Sequence, residues 1–219
     1  MQRTRIKLCG FTRAEDVHSA VQAGADALGM IFFARSRRAL GLAQAEALRG
    51  TIPAFVDVVA LFVNPDPGHV HEVLDTVKPD LLQFHGDETP DECERYGKRY
   101  MRAFRVGAPG LSSPEEVLAE CRRYRSANAW LFDSHSASYG GSGKGFDLRL
   151  LTAVRSASDA QPVVLAGGLA ADNVEERIRR LRPYAVDVSS GIEDAPGIKS
   201  AEKITAFVRA VRNADTDAI

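Results

Sequence analysis

Apolar runs of four to eight residues recur along this chain, and they predict its strands. Most of these runs are continuous and do not alternate with polar residues, which is typical of parallel strands covered on both faces. The predicted strands span residues 6–9, 27–33, 56–63, 81–85, 101–106, 129–133, 162–166 and 185–189. A sheet built from them would be buried on both sides.

Amphipathic segments separate the strands, and their first residues carry helix-start signals. Proline at the first helical position and acidic residues in the first turn are typical of helix N-termini. These signals predict helix starts at Thr12 or Arg13, Pro67, Pro90, Pro114, 172–173 and 199–200, and the short segment 147–154 supplies the sixth helix. Strands and helices therefore alternate along the chain.

Eight such units in 219 residues, roughly 27 residues each, predict a closed (β/α)8 TIM barrel of eight parallel strands. An open doubly wound sheet is the alternative. It would usually show a glycine-rich turn after the first strand and a single ligand crevice, and neither is apparent in this sequence. We find no linker, so residues 1–219 are expected to form a single domain. The polar tail 213–219 is expected to fray.

Composition narrows the class of protein. Hydrophobic residues make up 45% of the chain and charged residues 26%, which is typical of a globular protein. The net charge of −1 offers no general attraction to nucleic acid or to an anionic membrane. Without an apolar leader or membrane-spanning run, a soluble cytoplasmic protein is expected. Three cysteines without a CxxC pair argue against a disulfide framework or a zinc cluster.

Cys9 stands at the carboxyl end of the first strand, where barrel enzymes carry their chemistry. By itself it is either a small buried hydrophobe or a reactive thiol at the rim of a site. Lys7 lies two residues before it on the same face. Because the first and eighth strands adjoin in a closed barrel, we predict that Lys7 pairs with Asp187 and favours the Cys9 thiolate.

Glycine and serine residues follow the last two strands. Gly167 and Gly168 come after the seventh, and Ser189, Ser190 and Gly191 follow the eighth. Barrel enzymes frequently bind phosphate with these two loops, because glycines let backbone N–H groups approach an anion closely. Two ordinary tight turns are the alternative, but the combination favours a phosphate site.

Charged side chains at other strand ends predict the rest of the pocket. Asp133 ends the sixth strand, where burial would raise its pKa and suit it to general acid catalysis, although a capping role is the alternative. His85 is either pocket lining or a buried, hydrogen-bonded histidine, and Lys7, Gln83 and Asp187 are also expected to line the pocket. At least one of Arg35, Arg37 and Arg38 should overhang the pocket and hold a carboxylate or phosphate. The loop 139–145 fails the P-loop pattern and is interpreted as a lid.

Seven motifs, in order and spread over nearly the whole chain, resemble the phosphoribosylanthranilate isomerase family of tryptophan biosynthesis. They are KLCGFT at 7–12, SRR at 36–38, QFHG at 83–86, LFDS at 131–134, YGGSGK with FD at 139–144 and 146–147, LAGGL at 165–169 and VDVSSGIE at 186–193. The departures, Phe11 and Phe84, are apolar and leave the polar chemistry intact.

The resemblance implies an aldose–ketose isomerase that performs an Amadori rearrangement on a small phosphoribosyl substrate. It implies that Asp133 is the general acid and Cys9 the general base, and that Arg38 holds the anthranilate carboxylate. Gly167, Gly168, Ser189 and Ser190 would then bind phosphate. Proton transfers suffice, so no metal or organic cofactor is expected.

Two other functions stay open at this point. The related isomerase of histidine biosynthesis performs the same rearrangement but has aspartate at the position of Cys9. A non-catalytic barrel that only binds phosphorylated ligands is the second alternative. The chain is expected to be a monomer or a homodimer.

Overall fold

The computed structural model describes residues 3–135 and 145–216, and within them eight parallel strands close into a barrel in chain order. The strands are β1 (Arg5–Cys9), β2 (Ala27–Ile31), β3 (Asp57–Phe62), β4 (Leu81–Phe84), β5 (Tyr100–Val106), β6 (Ala129–Ser134), β7 (Val163–Leu165) and β8 (Ala185–Val188). The predicted (β/α)8 fold is confirmed, because every predicted strand is present and β1 pairs with β8 to close the sheet.

Helices follow the strands around the outside of the barrel. They are α1 (Ala14–Ala23), α2 (Leu42–Arg49), α3 (Pro67–Thr76), α4 (Pro90–Glu94), α5 (Pro114–Arg123), α6 (Thr152–Ser156), α7 (Val174–Leu181) and α8 (Ala201–Thr216). Thr89 and Ser113 form capping boxes before α4 and α5, and Asp66 caps α3. These local contacts satisfy free N–H groups of the first turn, which is why the helix starts could be predicted. A 3-10 turn, Leu148–Leu151, precedes α6.

Alternate residues of each strand face opposite layers. Outward-facing side chains such as Leu8, Phe62 and Trp130 belong to the large buried cluster between sheet and helices. Residues of the opposite parity fill the barrel interior, among them Val59, Met101, Ala103, Leu131 and Val164. The polar residues at the strand ends therefore rest on a packed apolar floor.

Two features correct the expectations from sequence. An antiparallel hairpin, β9 (Glu193–Ala195) and β10 (Ile198–Lys199), was not predicted and lies between β8 and α8. Residues 213–216, which were expected to fray, belong to α8 because Asp215 accepts hydrogen bonds from the backbone and hydroxyl of Thr4 at 2.9 and 2.7 Å. Residues 217–219 lie outside the described residues. Within residues 3–135 and 145–216, none of the helices has the length and hydropathy required to span a membrane.

Candidate active site

The predicted site residues meet in a pocket at the carboxyl ends of the strands. Asp133, Asp187 and Ser189 lie where its two halves adjoin. One half is also lined by Gly167, Gly168 and Ser190, and the other by Cys9, Ser36, Arg38, Gln83 and His85. Gly167, Gly168 and Ser190 thus line one half of the pocket only, Arg38 lines the other half only, and Ser189 lines both.

Several predicted residues have other positions. Lys7 is buried below the pocket and does not line it. Gly191 packs on the neighbouring loop, where a Cβ atom would lie only 2.0 Å from the Leu169 carbonyl oxygen. Of the three arginines after β2, Arg35 and Arg37 are exposed and Arg38 reaches the pocket, which confirms that at least one does. The lid interpretation of 139–145 concerns residues that lie, except for 145, outside the described part of the chain.

Lys7 and Asp187 form the buried ion pair predicted from strand parity. They are opposite each other in the β1–β8 register, and Lys7 Nζ lies 2.8 Å from Asp187 Oδ1. Their side chains are only 5% and 10% exposed. An unpaired ammonium at this depth would be too costly to retain, so the prediction is confirmed on geometry and its physical reason holds.

Cys9 is buried, yet its side chain borders the pocket. Burial raises the pKa of its thiol, and the positive charges of Lys7 and Lys199 act in the opposite direction without outweighing that effect. Lys7 therefore favours the thiolate as expected, but burial keeps the pKa of the Cys9 thiol above its usual value. The thiolate, when it forms, lies next to a cation.

Gly29 makes room for this thiol. It pairs with Cys9 across β1 and β2, and a Cβ atom at Gly29 would lie 2.5 Å from Cys9 Sγ. We expect Gly29→Ala to displace the sulfur and lower kcat roughly 10-fold to 100-fold, the scale of an ångström-sized misplacement. Gly41→Ala is the matched control, because that glycine has no atom within 4 Å of its ideal Cβ position. Equal kcat values for the two variants would contradict the prediction.

Asp133 is the penultimate residue of β6, which lies three strands from β1 around the barrel. Burial raises its pKa to about 6, and the negative charge of Asp187 adds to the effect. Its Oδ1 accepts a hydrogen bond from the Ser134 backbone N–H at 2.7 Å, which fixes the carboxyl group. A carboxyl group held at such a pKa can keep and donate a proton near neutral pH.

The raised pKa of Asp133 also predicts a cost in stability. The folded protein binds the Asp133 proton more tightly than the unfolded chain does. The free energy of unfolding is therefore highest below about pH 4, where Asp133 is protonated in both states, and it falls as the pH rises through about 6. We expect Asp133→Asn to raise the free energy of unfolding by about 2 kcal/mol at pH 8 and by much less at pH 4. Urea denaturation at both pH values measures this. A variant no more stable than wild type at pH 8 would refute it.

His85 combines both roles considered for it, because it is buried and also lines the pocket. Its Nδ1 lies 3.3 Å from Gln83 Nε2, and its Nε2 is 3.5 Å from Asp133 Oδ2. Burial and the charge of Arg102 lower the pKa of His85 to about 3, so the ring is neutral at pH 7. If the Gln83 amide donates to Nδ1, the ring proton resides on Nε2 and faces Asp133.

Some buried polar atoms of the pocket have no hydrogen-bond partner in the described part of the protein. They include Gln83 Oε1 and Ser189 Oγ. Buried polar atoms are nearly always hydrogen-bonded in folded proteins. Both atoms lie in residues that line the pocket half containing Arg38.

Two glycines give the loop after β7 a backbone conformation that other residues rarely adopt. Gly167 and Gly168 have φ values of +80° and +65°, which residues with a side chain rarely adopt. A Cβ atom at Gly167 would also lie 2.7 Å from the Ser134 nitrogen. Asn173 braces the loop by donating to the Gly168 carbonyl at 2.9 Å and accepting from the Ala170 N–H at 3.0 Å. Such a loop can present backbone groups to an anion.

Glu193 and Lys199 were missed as site residues by sequence reasoning. Glu193 accepts two hydrogen bonds from Arg38, at 2.7 Å from Nε and 2.6 Å from Nη2. Lys199 Nζ donates to Glu193 Oε1 at 2.8 Å and also to the carbonyl oxygens of Cys9 and Ser189. The motif 186–193 contained Glu193, but nothing local indicated that the following residues form a hairpin that buries these charges.

Fold and pocket together define an enzyme of the (β/α)8-barrel class, with titratable groups from several strands at the carboxyl-terminal face. The family model described as N-(5'-phosphoribosyl)anthranilate (PRA) isomerase matches residues 6–210. The chain belongs to this family, as its motifs suggested, and it is an isomerase.

Individual relatives agree with the family match. The chain is 60% identical to the N-(5'-phosphoribosyl)anthranilate isomerase of Bordetella pertussis over 213 residues, which cover 97% of this chain and 98% of the relative. It superposes on the crystal structure of phosphoribosyl anthranilate isomerase from Thermotoga maritima with a TM-score of 0.86 at 34% identity, over 96% of this chain and 99% of that one. Another phosphoribosyl anthranilate isomerase, in complex with reduced 1-(o-carboxyphenylamino)-1-deoxyribulose 5-phosphate, gives a TM-score of 0.83 at 31% identity, with 96% and 99% covered.

Proposed function

We propose that this protein converts N-(5-phosphoribosyl)anthranilate into 1-(2-carboxyphenylamino)-1-deoxyribulose 5-phosphate in tryptophan biosynthesis, acting in the cytoplasm as one domain. The observation that carries this proposal is that Cys9 and Asp133 line one pocket between a glycine–serine cradle and Arg38. The family match and the ligand named for one solved relative support the same substrate.

The two halves of the pocket suit the two anionic ends of this substrate. The phosphate would lie against Gly167, Gly168, Ser189 and Ser190, where open backbone and hydroxyl groups can donate hydrogen bonds. The anthranilate carboxylate would meet the guanidinium of Arg38, which favours bidentate recognition of carboxylates. The ribose then lies between Asp133 and Cys9.

In the proposed mechanism, Asp133 gives its proton to the furanose ring oxygen. The C1–O bond breaks as the nitrogen lone pair forms a Schiff base, which leaves an open-chain sugar. The Cys9 thiolate then removes the proton from C2, and the electron pair moves to form an enolamine. Tautomerisation of the enolamine gives the ketose product. These steps use only proton transfers, for which a positioned acid and base are sufficient.

Lys7 and His85 support these roles without touching the reacting bonds. Lys7 places a cation beside the sulfur that must ionise. Neutral His85, 3.5 Å from the Asp133 carboxyl group, adds no charge that would drive Asp133 to lose its proton. Both neighbours therefore favour the protonation states that the mechanism requires.

The test is loss of substrate fluorescence when the purified protein is added to freshly formed N-(5-phosphoribosyl)anthranilate. The corresponding substrate of the histidine pathway is assayed beside it. Turnover of the anthranilate compound alone, or of both compounds, supports the proposal. Turnover of the histidine-pathway compound alone favours the related isomerase, and binding of phosphoribosyl compounds without turnover favours a ligand-binding barrel.

A further inference from the structure

The guanidinium of Arg38 is held along one edge only. Its Nε and Nη2 atoms donate to the two carboxylate oxygens of Glu193. Within residues 3–135 and 145–216, Nη1 donates to no other group, and Arg38 borders the pocket next to Cys9 and Ser36. A guanidinium has five N–H donors in a rigid plane, so the edge formed by Nη1 and Nη2 stays available for a second carboxylate.

Glu193 is therefore not a competitor for the ligand. A carboxylate bound to the Nε edge fixes the plane of the guanidinium and directs the other edge. The Glu193 side chain is 5% exposed, and the Gly197 backbone N–H donates to its Oε1 at 3.2 Å. Because the carboxylate is itself fixed, it orients Arg38 more strictly than a mobile surface residue could.

Lys199 offsets the negative charge that Glu193 places beside Arg38. An isolated Arg38–Glu193 pair would be neutral and would attract an anionic ligand weakly. Lys199 Nζ, whose side chain is 0% exposed, has three oxygen acceptors, which matches the three donors of an ammonium group. Arg38 and Lys199 with Glu193 carry a net charge of +1 on formal charges, so the arginine keeps its attraction for a carboxylate.

We propose that Glu193 and Lys199 are positioning residues that determine substrate specificity, because they orient the free edge of Arg38 and preserve its positive charge. The inference rests on the proposed function. In it, Glu193 and Lys199 restrict the substrate to an aromatic amine that bears a carboxylate. Neither residue lines the pocket. Glu193 acts on the ligand through Arg38, and Lys199 acts through Glu193 while its ammonium group also donates to the Cys9 carbonyl.

The experiment compares two substrates that differ only in that carboxylate, N-(5-phosphoribosyl)anthranilate and N-(5-phosphoribosyl)aniline. Glu193→Gln keeps the size of the side chain but puts an amide NH2 group, which cannot accept a hydrogen bond, in place of one of the two oxygens that hold Arg38. Removal of the negative charge would by itself strengthen the attraction for a carboxylate, so a weaker preference for the anthranilate compound reports the lost orientation of Arg38. We expect Glu193→Gln to lower the ratio of kcat/KM for the two substrates about 10-fold, mainly by raising KM for the anthranilate compound. The KM for the aniline compound and the inhibition constant of inorganic phosphate should stay within about twofold of wild type.

Asp194→Asn is the matched control. It removes the same charge from the next residue, which is exposed and pairs with Lys203 at 2.8 Å. Its substrate ratio should equal that of wild type. Lys199→Met is expected to lower the ratio in the same direction as Glu193→Gln, and circular dichroism shows whether that variant is folded.

The outcomes separate this inference from the proposed function. If Glu193→Gln reduces turnover of both substrates equally and leaves the ratio unchanged, Glu193 has only a structural role and the inference is wrong. If wild-type protein isomerises neither substrate, the proposed function itself fails. A lowered ratio in Glu193→Gln with an unchanged ratio in Asp194→Asn supports the inference.

Discussion

Replacement of Cys9 by serine is expected to lower kcat by more than about 100-fold, with a smaller effect on KM. The two side chains have nearly the same size, so the pocket keeps its shape. A hydroxyl group has a far higher pKa than a thiol, and burial, which already raises the pKa of Cys9, would penalise an alkoxide more strongly. Lys7, even in place beside it, could not ionise a serine at neutral pH.

Single-turnover measurements of fluorescence loss would show this effect on the chemical step directly. Cys93→Ser is the matched control, because Cys93 is also buried but lies on α4, away from the pocket. The control should cost stability and leave kcat of the folded protein within about twofold of wild type. If Cys9→Ser retained more than about a tenth of wild-type kcat, the thiolate base would be ruled out.

Replacement of Asp133 by asparagine is the second change with a large expected effect, again more than about 100-fold in kcat. Asparagine can still accept the hydrogen bond from the Ser134 N–H, which lies 2.7 Å from the present carboxylate oxygen. The geometry is thus preserved, while the amide has no proton to give to the ring oxygen. The loss should therefore appear in kcat and not in binding.

The pH profile provides a sharper test of the same assignment. Below about pH 6 Asp133 stays protonated, so kcat/KM of wild type should rise with pH as the Cys9 thiolate fraction grows. Above about pH 6 loss of the Asp133 proton offsets the gain in thiolate, and the profile should become flat. In Asp133→Asn the residual activity should keep rising through this range. A bend near pH 6 in the variant would assign that titration to another group.

Much of the fold could be predicted because its signals are local. Continuous apolar runs identify buried strands, and prolines and acidic residues mark the helix starts at Pro67, Pro90 and Pro114. The Lys7–Asp187 pair could also be predicted, although it joins residues 180 positions apart. Closure of the barrel makes β1 and β8 neighbours, and strand parity then decides which side chains face each other.

The sequence by itself thus determined the barrel, the strand ends that carry chemistry and the candidates Cys9, Asp133 and Arg38. Only the tertiary structure decided the protonation tendency of the thiol and the orientation of Arg38. The Arg38–Glu193 contact spans 155 positions and depends on a hairpin with no strong local signal. Desolvation, likewise, depends on how completely distant elements enclose a side chain, and no local pattern records that.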